Sequence, residues 1–147
     1  MKLNTASSAI SFSGKLEDDS VKLYESLTQK YPEGNDVFLS FVQENRRNKA
    51  FVERAYYSVI SDALEGCFSF EGIETDDFLI STGLAQDASY SDALHAAILA
   101  EEKIMQFYSA AAEVSRSLMA DVPRAFEKIA KKRTERIDKL RSLLGGD

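Results

Sequence analysis

Four long stretches of this chain carry the hydrophobic period of a helix, and in each the apolar stripe is broken near its middle by polar residues. The first and third breaks are glutamates, Glu17 and Glu101, each followed seven residues later by a tyrosine, Tyr24 and Tyr108. The second and fourth are pairs spaced three apart, Asn45 with Asn48 and Arg133 with Arg136. A carboxylate on the inner face of a helix costs several kcal/mol unless a partner compensates it. The four stripes must therefore face one another so that these polar residues meet. That requirement selects an all-α bundle with an ionic centre.

The first helix is expected over about residues 6–31, with Ile10, Glu17, Val21, Tyr24, Leu27 and Tyr31 on one face. A turn at Pro32 to Asp36 follows, with Asn35 or Asp36 as N-cap of a second helix over about 36–64. Its inner stripe reads Phe38, Phe41, Asn45, Asn48, Val52, Ala55 and Val59. The period then lapses over about 65–90, a length beyond the 2–8 residues or so of a tight helical connection. This is read as a crossover, with Phe68, Phe70, Phe78 and Leu79 as anchors and a short helix near Asp76 to Ser81. A third helix over about 91–118, capped by Ser91, buries Leu94, Ala97, Glu101, Ile104, Tyr108 and Ala111. Asp121-Val-Pro123 opens a fourth over about 122–143, aspartate as cap and proline in the first turn. Its face holds Phe126, Ile129, Arg133, Arg136, Ile137 and Leu140. Two helical hairpins joined by one long crossover make a single domain over residues 1–147, with the up-down-down-up connectivity of ferritin-like bundles.

Composition excludes several classes. A net charge of −6 argues against a generic nucleic-acid binder. No apolar run approaches the roughly 20 residues of a membrane span, and the start of the chain lacks a secretory pattern, so a cytoplasmic protein is expected. One cysteine, Cys67, forms no internal disulfide and reads as a small apolar plug. No Gly-rich phosphate loop, serine–histidine pair or zinc spacing appears.

The two halves look duplicated. Each has a glutamate, a tyrosine two turns on, and a polar pair on the next helix. The segments Glu17 to Leu23-Tyr24 and Glu101 to Phe107-Tyr108 resemble the glutamate and Phe-Tyr signatures of the ferritin-like superfamily, rubrerythrin-like branch, over nearly the whole chain apart from the crossover. In di-iron members of that superfamily helices two and four each carry Glu-x-x-His. The resemblance puts Asn45 and Arg133 at the glutamates and Asn48 and Arg136 at the histidines, so two of six ligands remain, Glu17 and Glu101. Arginine cannot ligate a metal, and the sole histidine, His95, stands more than a turn from Glu101. The paired Cys-x-x-Cys of a rubredoxin-type domain is absent as well.

The expected centre is therefore an ion-pair core. Arg133 and Arg136 take the metal volume and pair with Glu17 and Glu101, Asn45 and Asn48 take the remaining hydrogen bonds, and the hydroxyls of Tyr24 and Tyr108 support the carboxylates. Glu44 and Glu53 are read as exposed helix charges, and the basic run Lys128 to Arg141 as a solvated face. A shift of the fourth helix by one or two residues would instead turn Thr134, Glu135 and Asp138 inward, offering a carboxylate pair at metal spacing.

Two functions follow. One is a non-catalytic structural or interaction protein without a cofactor. The other is a metal-using relative, holding iron or manganese through Glu17 and Glu101 and reducing peroxide or handling iron. The lost ligands favour the first. A homodimer is expected, with Phe51, Tyr57, Phe68 and Phe70 outside the four stripes as a candidate face.

Overall fold

The computed structural model describes residues 2–3, 5–59, 73–116 and 121–145, with backbone alone at 58 and 59. Among these residues it is all-helical, with four long helices: α1 (Ala6–Lys30), α2 (Asn35–Val59), α3 (Tyr90–Ser115) and α4 (Asp121–Leu144). Extended pairing is confined to one bridge, Lys2 to Glu74, where the Leu3 amide also donates to the Ile73 carbonyl at 3.1 Å. Cys67, Phe68, Phe70, the expected end of the second helix at Leu64 and that of the third at Leu118 lie outside the described residues.

Helix starts differ from expectation in ways local chemistry explains. Asn35 and Asp36 cap nothing. A 3-10 turn at Pro32–Gly34 runs straight into α2, so both asparagine and aspartate lie inside the helix. Proline supplies the fixed φ that starts this turn. Helix α3 is capped by Ser89 rather than Ser91, because Asp92 stands at the third helical position and returns a bond to the Ser89 amide. Thr5 and Ser8 build the same reciprocal box on α1. Asp121 is the first residue of α4, with its carboxylate in the first turn where the helix dipole favours it. The short helix of the crossover is a 3-10 turn at Thr75–Phe78, capped by the Glu74 side chain.

Helix α1 packs chiefly along α2, and α3 along α4, while α2 meets α4 and α1 meets α3. Contacts give the directions. Tyr24 meets Glu101 and Tyr108 meets Glu17, so α1 and α3 run in opposite senses. Arg136 meets Glu44 and Lys128 meets Phe51, so α2 and α4 do as well. The end of the crossover lies across α1 and α3: Lys30 donates to the Ala85 carbonyl, Tyr31 to that of Ala88 and Lys103 to that of Leu79.

The buried core falls into two apolar clusters. One holds Phe12, Leu16, Val52, Phe107 and Phe126. The other holds Leu27, Phe38, Phe41, Leu94 and Leu140. Between them lie Glu17, Ser20, Asn45, Asn48, Glu101, Arg133 and Arg136, all buried. Of the proposed dimer aromatics, Phe51 is half-buried beneath Lys128, and Tyr57 is 70 % exposed.

Candidate functional site: a buried ion-pair layer

Two arginines are the largest fully buried side chains among the described residues. The small Ser20 of α1, also buried, lies against Arg133. Arg133 lies at the centre. Its Nη1 donates to both oxygens of Glu101, at 2.8 and 2.9 Å, and more distantly to Ser20 Oγ at 3.3 Å. Its Nη2 donates to Glu17 Oε2 and to Asn45 Oδ1, the latter at 3.1 Å. One guanidinium thus spans both carboxylates, using the planar fork that fits arginine to this task.

Arg136 joins the layer to its rim. Nη1 reaches Glu101 Oε1 at 3.2 Å, Nη2 the Phe41 carbonyl at 3.1 Å, and Nε Glu44 Oε1 at 2.8 Å. Its guanidinium also lies over the Phe41 ring, 4.7 Å from the centroid. The tyrosines cross between halves. Tyr24 donates to Glu101 Oε1 at 2.6 Å, and Tyr108 to Glu17 Oε1 at 2.9 Å.

Six positions singled out by sequence therefore share one layer, but their roles are unequal. Asn45 donates to Ser20 Oγ at 3.0 Å and accepts from Arg133. Asn48, read as filling leftover hydrogen bonds, does not: it is buried, yet its Nδ2 has no partner, and neither does Arg133 Nε. Each such orphan costs on the order of 1–3 kcal/mol. Glu44 corrects another expectation. It is half-buried, with its side chain 29 % exposed, and pairs with Arg136. Its position beside Asn45, on the flank of α2 that faces α4, was the available signal. Ser20 was also missed, though it stands three residues after Glu17 on the same inner face. Thr134, Glu135 and Asp138 are exposed, so the shifted register of the fourth helix is not adopted. His95 is exposed too and makes no contact with the layer.

The two glutamates titrate differently. Burial pushes both up, but Arg133 and Arg136 outweigh it at Glu101, whose carboxyl lies below the ordinary range. Glu17 stays above that range because burial is the stronger influence there, with the arginines and Tyr108 only partly offsetting it. For Arg133 the order reverses: burial alone would lower it, and the charges of Glu101 and Glu17 hold it protonated beyond its usual value. Burial and the adjacent carboxylates keep Tyr24 and Tyr108 neutral.

All four carboxylate oxygens accept from an arginine or a tyrosine. The oxygen of Asn45 accepts from Arg133 as well. As arranged, this donor set does not fit a di-iron cage: two carboxylates are present, no imidazole joins them, and a guanidinium contacts both. Among the described residues no group of three or more histidine, cysteine, aspartate or glutamate side chains is placed to hold a metal ion. Comparison with protein-family models, with curated proteins and with solved structures finds no match.

Proposed function

We propose that this chain is a ferritin-like bundle of the rubrerythrin-like branch in which two arginines replace the metals, and that it works as a non-catalytic structural or interaction protein. The observation that carries the reading is the Arg133 guanidinium, which contacts Glu17 and Glu101 together. A site of four carboxylates and two divalent cations has no formal charge, and neither has one of two carboxylates and two guanidiniums. Within that set the replacement keeps charge balance, each oxygen of Glu17 and Glu101 accepts a hydrogen bond, and Glu44 adds a third carboxylate beside Arg136 at the rim. The opposite senses of α1 against α3 and of α2 against α4, with short connections inside each hairpin, support the up-down-down-up order. Reciprocal tyrosine–glutamate bonds support a duplicated origin. Among the described residues no helix is long and apolar enough to cross a membrane.

Metal content after anaerobic purification, followed by ferrous titration, tests the reading. No stoichiometric iron or manganese is expected, and ferrous ion should leave the melting point unchanged. Two tightly held irons per chain would overturn it.

A further inference from the structure

The seam between α2 and α4 carries Arg47 and Arg54 on one helix and Arg124, Lys128 and Lys132 on the other. Spacings of four and seven residues keep these cations on the seam-facing flank of each helix. The antiparallel contacts that bring Lys128 over Phe51 and Arg136 to Glu44 place the two rows side by side. Four of the five are exposed and Lys132 is half-buried, and among the described residues none forms an ion pair. Elsewhere Lys15, Arg46, Lys49, Arg116 and Arg141 face carboxylates, and the exposed cations without an ion pair among the described residues, such as Lys22 on α1 and Lys103 on α3, do not form facing rows of this kind. In a chain of net charge −6, an unneutralised cationic strip on one face is a local reversal of sign.

The strip has an apolar floor. Phe51, Ala55 and Ala125 line a groove of about 540 Å³ together with Arg54, Arg124 and Lys128, with Lys128 over the Phe51 ring and Asp121 at one end. At the other end Glu44 is already committed to Arg136. From Arg124 to Lys132 the strip extends about 12 Å along the helix axis. A linear cationic rim over an apolar floor suits a partner that is acidic along its length and apolar on one side.

We propose that the α2–α4 seam is a docking groove for an acidic amphipathic polypeptide segment. Carboxylates of the segment pair with Arg47, Arg54, Arg124, Lys128 and Lys132, and an apolar side chain covers Phe51. Charge complementarity selects the occupant, and the net charge of the chain disfavours a polynucleotide. This deepens the interaction-protein reading and rests on it only for the existence of a partner. A metal-loaded core would overturn that reading and leave the seam as it is.

The test is fluorescence anisotropy of the intact chain with a labelled glutamate-rich peptide bearing a leucine at every fourth position. Binding should occur at low ionic strength and weaken steeply with salt. Arg124→Glu combined with Lys128→Glu should weaken it about tenfold or more while leaving the melting point unchanged, as both residues are exposed. The same reversal at Lys22 and Lys103, exposed on α1 and α3, should leave binding intact. Replacing the leucines with serine should also cost about tenfold, the order expected for one buried apolar side chain. Absence of peptide binding, equal loss from both charge reversals, indifference to the leucines, or tighter binding to phosphatidylserine vesicles or a single-stranded oligonucleotide would each overturn the proposal.

Discussion

Arg133 sits where neither of its carboxylate partners can find water, which makes it the residue whose loss is most revealing. Replacing it with leucine leaves Glu17 and Glu101 buried side by side with only Arg136 to answer them. The expected cost is about 3–5 kcal/mol, read as a lower midpoint in chemical denaturation. An unchanged midpoint would mean the ion pairs contribute nothing to the fold. The glutamates can then be told apart by pH. Glu101 has a folded pKa below its unfolded value, so its contribution is present above about pH 4.5 and is lost as pH falls through the folded value. Glu17 has the opposite sign. Its folded pKa is raised, so its contribution is full below about pH 4.5 and declines as pH rises through the folded value. At neutral pH Glu101→Gln should therefore destabilise more than Glu17→Gln, and its deficit against the wild type should narrow on acidification. Denaturation midpoints across the pH range decide this; equal deficits at every pH would show the two sites to be equivalent. The sequence made these charged residues visible because each occupies an apolar position of its helix. It could not reveal that Arg136 reaches past the layer to Glu44, since a long side chain on one helix selects partners from another.

Each helix is defined by its ends as much as by its stripe. Ser89 accepts from the Asp92 amide while Asp92 accepts from that of Ser89, so Ser89→Ala removes one side of a capping box. A loss of about 1 kcal/mol is expected, whereas Ser91→Ala should be nearly neutral. If Ser91→Ala proved the costlier, the cap would belong two residues later. Gly34 closes the α1–α2 connection. A Cβ there would come within 2.6 Å of the Phe38 ring and 2.8 Å of the Tyr90 hydroxyl. Phe38 cannot easily yield, being fully buried and packed against the rings of Tyr24 and Tyr90. Gly34→Ala should cost about 1–3 kcal/mol through overpacking, measured as a fall in melting point. Periodicity disclosed where the helices run because the inner stripes are long and nearly unbroken by proline or glycine. Their starts were less legible. Ser89 and Ser91 are equally good caps as residue types, and only the reciprocal bond from Asp92 separates them. The 3-10 turn at Pro32–Gly34 likewise depends on how α2 leaves α1, which residue preference alone does not specify.

At the scale of the whole molecule, the ionic layer divides the apolar core into two clusters and fixes the register of all four helices against one another. A shift of any helix by one residue would withdraw a charge from its partner, an error that interchangeable apolar side chains would not penalise. Specificity of packing is thus a reasonable return for the buried orphans at Arg133 Nε and Asn48 Nδ2. The same register yields the most direct test of the proposed ancestry. Combining Asn45→Glu, Asn48→His, Arg133→Glu and Arg136→His with the native Glu17 and Glu101 would supply six ligands at the positions assigned by the ferritin-like resemblance. Without metal the four carboxylates repel, so this variant should be much less stable than the wild type. Ferrous or manganous ion should restore its helicity and melting point, with about two ions held per chain, because binding to a site that forms only on folding is itself folding free energy. Circular dichroism and metal analysis on the same sample report both effects. A folded variant that takes up no more metal than the wild type would show that these positions are not those of a di-iron cage.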